Sequence, residues 1–388
     1  MTWAAGRAFV SALALAGALS HAARAFELEA QLDGAVDEVA IELPPAGQAT
    51  GPPPWHRDVV RPGANYIRLH IARVAVPEGT AATLVLRDAS GTRVREYDAG
   101  ELARRAPFWS AAVIGDHAQL VVEGEHAPPG FVLLVDRVAY QAEAGAPLST
   151  YGEDRKEHVR VYAADPVIWQ VQRSVAKLLF MKDGAPRVCT GFLVGDDALM
   201  TNHHCISTDT ECRSTVALFG YQLTPEGRLD AGRQYECRAV DRGRVDYDLD
   251  FAVLELDGRP GEEWGVLALA GEDPPTAAAG DDGENHGLFI VQHPGGAPKL
   301  ISWQGCGATA APVDGRTAGS DFAHRCDTLG GSSGSPVVDL DGRVVGLHHY
   351  GFADGEGQAG AWGENRAVRM RSVLERISSA PDPCPFDH

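Results

Sequence analysis

The sequence predicts an all-β protein, and two observations carry that reading. The 388-residue chain holds 44 glycines and 24 prolines, a load that favours turns and hence many short strands. Between the turns lie apolar runs with a period of two, such as Tyr66-Ile67-Arg68-Leu69-His70-Ile71, the pattern of a strand with one face buried. The length leaves room for about two domains. A composition of 44% hydrophobic and 22% charged residues is that of a globular chain. The net charge of −19 argues against a general nucleic-acid binder and suits a soluble protein outside the cell.

Residues 1–25 read as a signal peptide. Arg7 supplies a sparse positive start, residues 8–19 an apolar run, and Ala23-Arg24-Ala25 a small-x-small cleavage site, so the mature chain is expected to begin at Phe26. The run is too short for a bilayer, which takes about 20 apolar residues. The expected location is secreted or periplasmic, with no membrane partner after cleavage.

Residues 26–145 form a β-sandwich-like region. Its period-two runs, among them Ala82-Thr83-Leu84-Val85-Leu86 and Gln119-Leu120-Val121-Val122-Glu123, are separated by turns at Pro62-Gly63, Ser90-Gly91 and Pro128-Pro129-Gly130. Trp55, Phe108 and Trp109 are either a ligand platform or, as aromatic residues more often are, part of the core. Residues 146–170 read as a linker, with Glu153-Asp154-Arg155-Lys156-Glu157-His158 as a solvated charge run open to cleavage. Residues 171–380 are a second domain. It begins as a strand from Ser174 and ends in a helix from Val368 to Ser378, where Val373, Leu374 and Ile377 recur at helical spacing.

The chemistry concentrates in this second domain. Gly330-Gly331-Ser332-Ser333-Gly334-Ser335-Pro336 is a glycine-bracketed serine turn that runs into the strand Val337-Val338. A sharp bend there aims the N–H groups of Gly331 and Ser333 at one point, as an oxyanion hole requires. Serine is a poor nucleophile without a base. Upstream, Asn202-His203-His204-Cys205 supplies histidines, and Asp248-Leu249-Asp250-Phe251-Ala252-Val253-Leu254 supplies carboxylates at the head of an apolar strand. Gly-x-Ser-x-Gly also fits an α/β-hydrolase elbow on Ser332. That elbow needs a helix after the serine and the order Ser, Asp, His, and both conditions fail here.

The three motifs in the order His, Asp, Ser resemble those of the trypsin-like, chymotrypsin-fold serine proteases. The resemblance is nearer to the bacterial lysyl and glutamyl endopeptidases, whose nucleophile motif is likewise Gly-x-Ser-Gly-Ser-Pro. It covers roughly Ser174 to Leu374 and implies a double β-barrel with a C-terminal helix, preceded here by the smaller sandwich. It also implies His204 as the general base, Asp250 as its orienting acid and Ser333 as the nucleophile. His203, Asp246, Asp248 and Ser332 are the competing neighbours. Asp250 is preferred because the strand pattern follows it directly.

The resemblance pairs Cys189 with Cys205, bracing the histidine turn. Cys212 with Cys237 and Cys306 with Cys326 are the next expected pairs, leaving Cys384 odd among the seven cysteines. No Cys-x-x-Cys or His-Glu-x-x-His spacing accompanies Cys205, so neither a metal nor another cofactor is expected. Ser332 stands where trypsin has the aspartate that receives a freed N-terminus, so activation by that insertion is not expected. Asn202 replaces a usual alanine.

The family's primary specificity position falls on Asp327, which implies cleavage after Lys or Arg. The lysyl endopeptidases take their acid from another wall, where Glu364 is the nearest candidate. The glutamyl endopeptidases use a histidine on the strand after the serine, and that position is His348. The expected function is a secreted serine endopeptidase acting on proteins or peptides through an acyl-enzyme. The alternative is an inactive protease-like body serving as a secreted binding module.

Overall fold

The computed structural model describes residues 29–45, 54–126, 130–141, 153–276, 284–351 and 364–379. The expected signal peptide, Cys384 and the start of the linker lie outside them.

The N-terminal region folds as two antiparallel sheets around one core. One sheet orders Ala35–Leu43, Val132–Tyr140, Tyr66–Ala75 and Phe108–Trp109, with Val113–Ile114 also on Tyr66–Ala75. The other orders Trp55–Val60, His117–His126, Ala81–Arg87 and Arg93–Asp98. Alternate residues such as Leu69, Ile71, Leu84, Leu86, Leu120, Val122 and Leu133 meet between them, as period-two patterning requires. Trp55 and Phe108 pack in this core, whereas Trp109 is buried against His70 and Arg137 at its edge.

The second domain is a pair of barrels. In the first, Val175–Lys182, Val216–Phe219, Arg233–Asp246, Phe251–Leu256 and Ala198–Thr201 follow one another in antiparallel pairing. Ala185–Leu193 pairs with both ends and closes the ring. The second is an open eight-stranded sheet: Glu157–His158, Leu300–Ser302, Leu288–Gln292, Pro336–Asp339, Val344–Tyr350, Asn365–Arg369, Asp321–His324, Ala308–Val313. Phe192, Met200, Phe251 and Val253 of the first barrel pack against Phe289, Val291, Leu347 and Val368 of the second. Met370 and Val373, from the terminal helix Met370–Ser379, join this seam. Burial of each such side chain is worth about 1.5–3 kcal/mol, so the two barrels are held as one body.

The charge run 153–158 is solvated at Glu153 and Asp154, and departs from that reading from Arg155 to His158. Glu157–His158 adds an edge strand to Leu300–Ser302, and the Lys156 side chain is only 3% exposed. Backbone pairing at a sheet edge and the snorkelling of a lysine stem both occur without any apolar signal in the sequence. The helix Pro166–Arg173, N-capped by Asp165, also falls within the expected linker.

The sandwich docks on the first barrel. Gln31–Leu32 adds a strand to Arg187–Val188. The fully buried Arg68 crosses the seam to the Leu179 carbonyl at 3.2 Å.

Candidate active site

The first barrel builds an imidazole–carboxylate pair out of two turns. The chain leaves Ala198–Thr201 into Asn202-His203-His204-Cys205, and it enters Phe251–Leu256 from Asp250. These strands are paired neighbours, with Thr201 opposite Ala252, so both turns lie at the same end of the barrel. Asp250 takes a left-handed backbone, φ 47°, a region aspartate tolerates better than most residues. Its carbonyl accepts from His203 N at 3.1 Å and Asn202 Nδ2 at 2.9 Å, which holds the turn in place. Its carboxylate meets His204 twice: Oδ1 accepts from the backbone N–H at 2.9 Å, and Oδ2 lies 2.8 Å from Nδ1. A proton on Nδ1 satisfies that contact and leaves Nε2 as the acceptor nitrogen, which here lies 3.7 Å from Cys205 Sγ. Asp250 is fully buried. Burial raises its pKa, but the His204 and His349 rings outweigh burial and hold the carboxyl far below the usual range.

The neighbours separate cleanly. Asp248 is exposed. Asp246 caps Leu249 N at 2.8 Å and pairs with Arg376 of the terminal helix. His203 turns away from the carboxylate and sets its ring edge-on to Tyr247, 5.4 Å between centroids.

The serine loop belongs to the second barrel but is fastened to the first. Ser333 O accepts from Thr190 N at 2.8 Å, and Gly331 O accepts from Thr190 Oγ1 at 2.8 Å. Thr190 follows Cys189, whose disulfide reaches Cys205 beside His204. The loop is thus tied to the strand that braces the histidine. Two glycines are structurally required. Gly331 has φ 94°, and a Cβ there would lie 2.8 Å from the His293 carbonyl. Gly334 has φ 84°, and a Cβ there would lie 2.1 Å from the Thr190 carbonyl.

The two serines differ in what their hydroxyls do. Ser332 is buried, and its Oγ accepts from Leu329 N at 3.0 Å. Ser333 is half-exposed. Among the described residues its Oγ makes no hydrogen bond, to His204 or to any other group, and the N–H groups of Gly331 and Ser333 are equally without acceptors. Contacts between a nucleophile and its base are often long before substrate binds.

The second barrel adds four histidine and acidic groups behind this arrangement. In the strand Val344–Tyr350, His348 and His349 lie at the bulged end and find different partners. The His348 carbonyl accepts from Gly334 N at 2.9 Å, and its Nδ1 lies 3.1 Å from His324 Nε2. Burial pushes the pKa of both rings down, His324 to about 3 and His348 well below its ordinary value, so the pair is neutral. His349 instead joins the Asp250 carboxylate: Nδ1 lies 3.1 Å from Asp250 Oδ2 and Nε2 2.7 Å from Asp321 Oδ2. Burial lowers its pKa, yet the two carboxylates prevail and raise it to about 9. Arg316 Nη1 completes the set, 3.2 Å from Asp250 Oδ1.

His349, Arg316 and Asn202 were not singled out from sequence as contacts of Asp250, nor Asp321 as the contact of His349. Asn202 carried a signal, as a polar residue where alanine is usual. His349 stood beside the marked His348. Asp321 carried none, because its partner is set by sheet register, and Arg316 carried none, because it reaches Asp250 from the loop between Ala308–Val313 and Asp321–His324.

The specificity candidates are also placed. Asp327 is buried, its Oδ2 accepts from Arg155 N at 3.1 Å, and its carbonyl accepts from Gln292 Nε2 and Ser302 Oγ. Glu364 accepts from Thr309 Oγ1 at 2.9 Å and pairs with Arg325. Cys212–Cys237 and Cys306–Cys326 are bridged as expected. The sulfurs of Cys189 and Cys205 lie near His204, but they are joined to each other and offer no thiolate to a metal. Among the described residues, no helix is long and apolar enough to cross a membrane.

Residues 189–347 match the trypsin-like peptidase domain family. A secreted RxLR effector protein of Plasmopara viticola is 29% identical over 56% of this chain and 56% of its own. A glutamyl endopeptidase of Staphylococcus aureus is 23% identical over 51% of this chain and 52% of its own. The chain thus spans about half the length of these curated relatives. A solved Glu endopeptidase covers 59% of this chain and 97% of its own at 19% identity, with a TM-score of 0.40. The barrel topology and the domain match together show that the chain carries a trypsin-like peptidase domain of the chymotrypsin-fold serine proteases.

Proposed function

We propose that this chain is an exported serine endopeptidase that works through Ser333, His204 and Asp250. One observation carries the reading: a buried carboxylate grips the Nδ1 side of His204 at 2.8 Å while the loop of an uncommitted serine is tied to the same barrel. In this mechanism Ser333 Oγ attacks the scissile carbonyl carbon as its proton passes to His204 Nε2. The N–H groups of Gly331 and Ser333 receive the oxyanion. The bond to nitrogen breaks, and the proton on Nε2 leaves with the amine. Water then attacks the acyl-enzyme, His204 takes its proton, and Ser333 recovers it as the acid product departs. Asp250 stays ionised throughout. The test is turnover of a casein or peptide pool by the purified chain, with Ser333→Ala as control. Hydrolysis lost in the variant supports the reading, and hydrolysis that survives it, or none in folded wild type, overturns it.

The same proposal moves the side-chain preference from basic to acidic residues before the scissile bond. A lysine or arginine needs an unpartnered carboxylate, and that of Asp327 already accepts from Arg155 N. His348 adjoins the serine loop through Gly334, and the relatives named glutamyl endopeptidase favour an acid. A carboxylate entering beside His348 would draw a proton onto a ring that is otherwise neutral. The preference for Glu over Gln substrates should therefore grow as pH falls toward about 5, above the ordinary glutamate pKa. Values of kcat/KM on peptides differing only at that residue decide it. A Glu preference that collapses in His348→Gln is expected. A Lys or Arg preference that collapses in Asp327→Asn would restore the basic reading.

A further inference from the structure

The Asp250 carboxylate has more partners than orienting one imidazole requires. Oδ2 receives both His204 Nδ1 and His349 Nδ1, while Oδ1 receives the His204 backbone N–H and the Arg316 guanidinium. Three hydrogen-bond donors and the Arg316 ion pair surround the carboxylate, so it cannot rotate without losing a contact. His349 is itself fixed at its far end by Asp321 Oδ2 at 2.7 Å, and Asp321 Oδ1 accepts from Ser320 Oγ at 2.6 Å. His349, Asp250 and Asp321 are all buried. The loop that carries Arg316 wraps this acid: a Cβ on Gly315 would lie 2.1 Å from Asp321 Oδ1. We propose that His349, clamped between Asp321 and Asp250, is a positioning residue that holds the carboxylate that in turn holds His204.

The charges explain why the clamp needs Asp321. A cation on His349 beside Asp250, with Arg316 on the other oxygen, would by itself weaken the attraction between Asp250 and the His204 imidazolium that forms during the reaction. Asp321 supplies a second negative charge, so two carboxylates balance two cations when His204 is neutral. The other groups facing this cluster are His324 and His348, both neutral, His203, whose pKa burial lowers, the Tyr247 ring against Arg316, and Ser320. Below about pH 9 His349 keeps both N–H donors. Above it the ring keeps only one, and either Asp250 or Asp321 loses its partner.

The inference rests on the peptidase reading for its consequence, but its test has a readout that does not. In 15N-labelled Ser333→Ala protein, the His349 ring should stay doubly protonated from pH 7 to about 9, and Asp321→Asn should bring its titration down toward neutrality. A His349 ring that is neutral at pH 7 overturns the proposal whether or not the protein turns over substrate. In the active protein, with rates normalised by active-site titration, kcat/KM should show a basic limb that Asp321→Asn moves to lower pH. His349→Gln should abolish that limb, shift the acid limb to higher pH and lower kcat about tenfold with KM little changed, the scale expected for an outer partner of a catalytic group. Normalised profiles of both variants that superimpose on wild type would mean the pair only supports the fold. Hydrolysis absent in wild type, with the ring titrating as expected, would remove the peptidase reading and leave the clamp standing.

Discussion

Each barrel contributes a His-His dipeptide to the surroundings of Asp250, and the two dipeptides divide their labour differently. In the first barrel the pair lies in a turn: His204 takes both oxygens of Asp250, and His203 is left against Tyr247. In the second barrel the pair lies at the bulged end of a strand, and the two rings find different partners. His348 meets His324 and the Arg366 backbone and stays neutral, whereas His349 meets Asp250 and Asp321 and is charged. Chain neighbours of identical chemistry thus acquire opposite protonation states because the fold supplies carboxylates to one ring and not to the other. On the proposed mechanism the first dipeptide serves proton transfer. The second combines a candidate recognition ring with a support for the acid.

The comparison breaks most visibly at the nucleophile and its base. Ser333→Ala, His204→Ala and Asp250→Asn should each lower kcat by about 10⁴-fold or more, and their combination should cost little beyond the largest single loss, because the three act as a unit. Peptide-hydrolysis kinetics on the folded variants check this. Ser332→Ala should keep turnover and lose only about 1 kcal/mol of stability, the worth of the hydrogen bond from Leu329 N.

The disulfides sharpen the contrast between the barrels. Cys189–Cys205 and Cys306–Cys326 close loops of similar length, 16 and 20 residues apart in sequence. In the chain-entropy model each is worth about 3 kcal/mol, so paired Cys→Ser variants should lose comparable stability in denaturant titrations. Their kinetic effects should differ. Loss of the first bridge should slow every substrate alike by loosening His204. Loss of the second, next to Asp327, should change selectivity more than maximal rate. Equal effects on all substrates from both would contradict the division of labour.

The smallest expected effect belongs to the turn beneath the pair. Asn202→Ala removes the 2.9 Å bond to the Asp250 carbonyl but leaves the His203 N bond to the same atom. A loss of about 1 kcal/mol in thermal or denaturant unfolding, with turnover retained, is expected.

Much of this was legible in the sequence because it is local. Period-two runs marked strands, glycines marked the bend at Ser333, and the Phe251–Leu256 strand pattern separated Asp250 from Asp248. The Cys189–Cys205 bridge followed from a resemblance carried by a few adjacent residues. What was not legible depends on register between distant strands. Asp321 reaches His349 only because the strands Asp321–His324 and Val344–Tyr350 both flank Asn365–Arg369 in one sheet. The Glu157–His158 edge strand was hidden for a related reason: its pairing uses backbone groups, which carry no side-chain pattern.

The central claim, that Ser333 is a nucleophile activated by His204 and Asp250, is tested most directly by a fluorophosphonate probe with mapping of the modified peptide. The account predicts stoichiometric phosphonylation at Ser333 in the wild-type chain, none in Ser333→Ala, and labelling slowed by orders of magnitude in His204→Ala. Folded wild-type protein that resists the probe, or a label carried on Ser332, would contradict it.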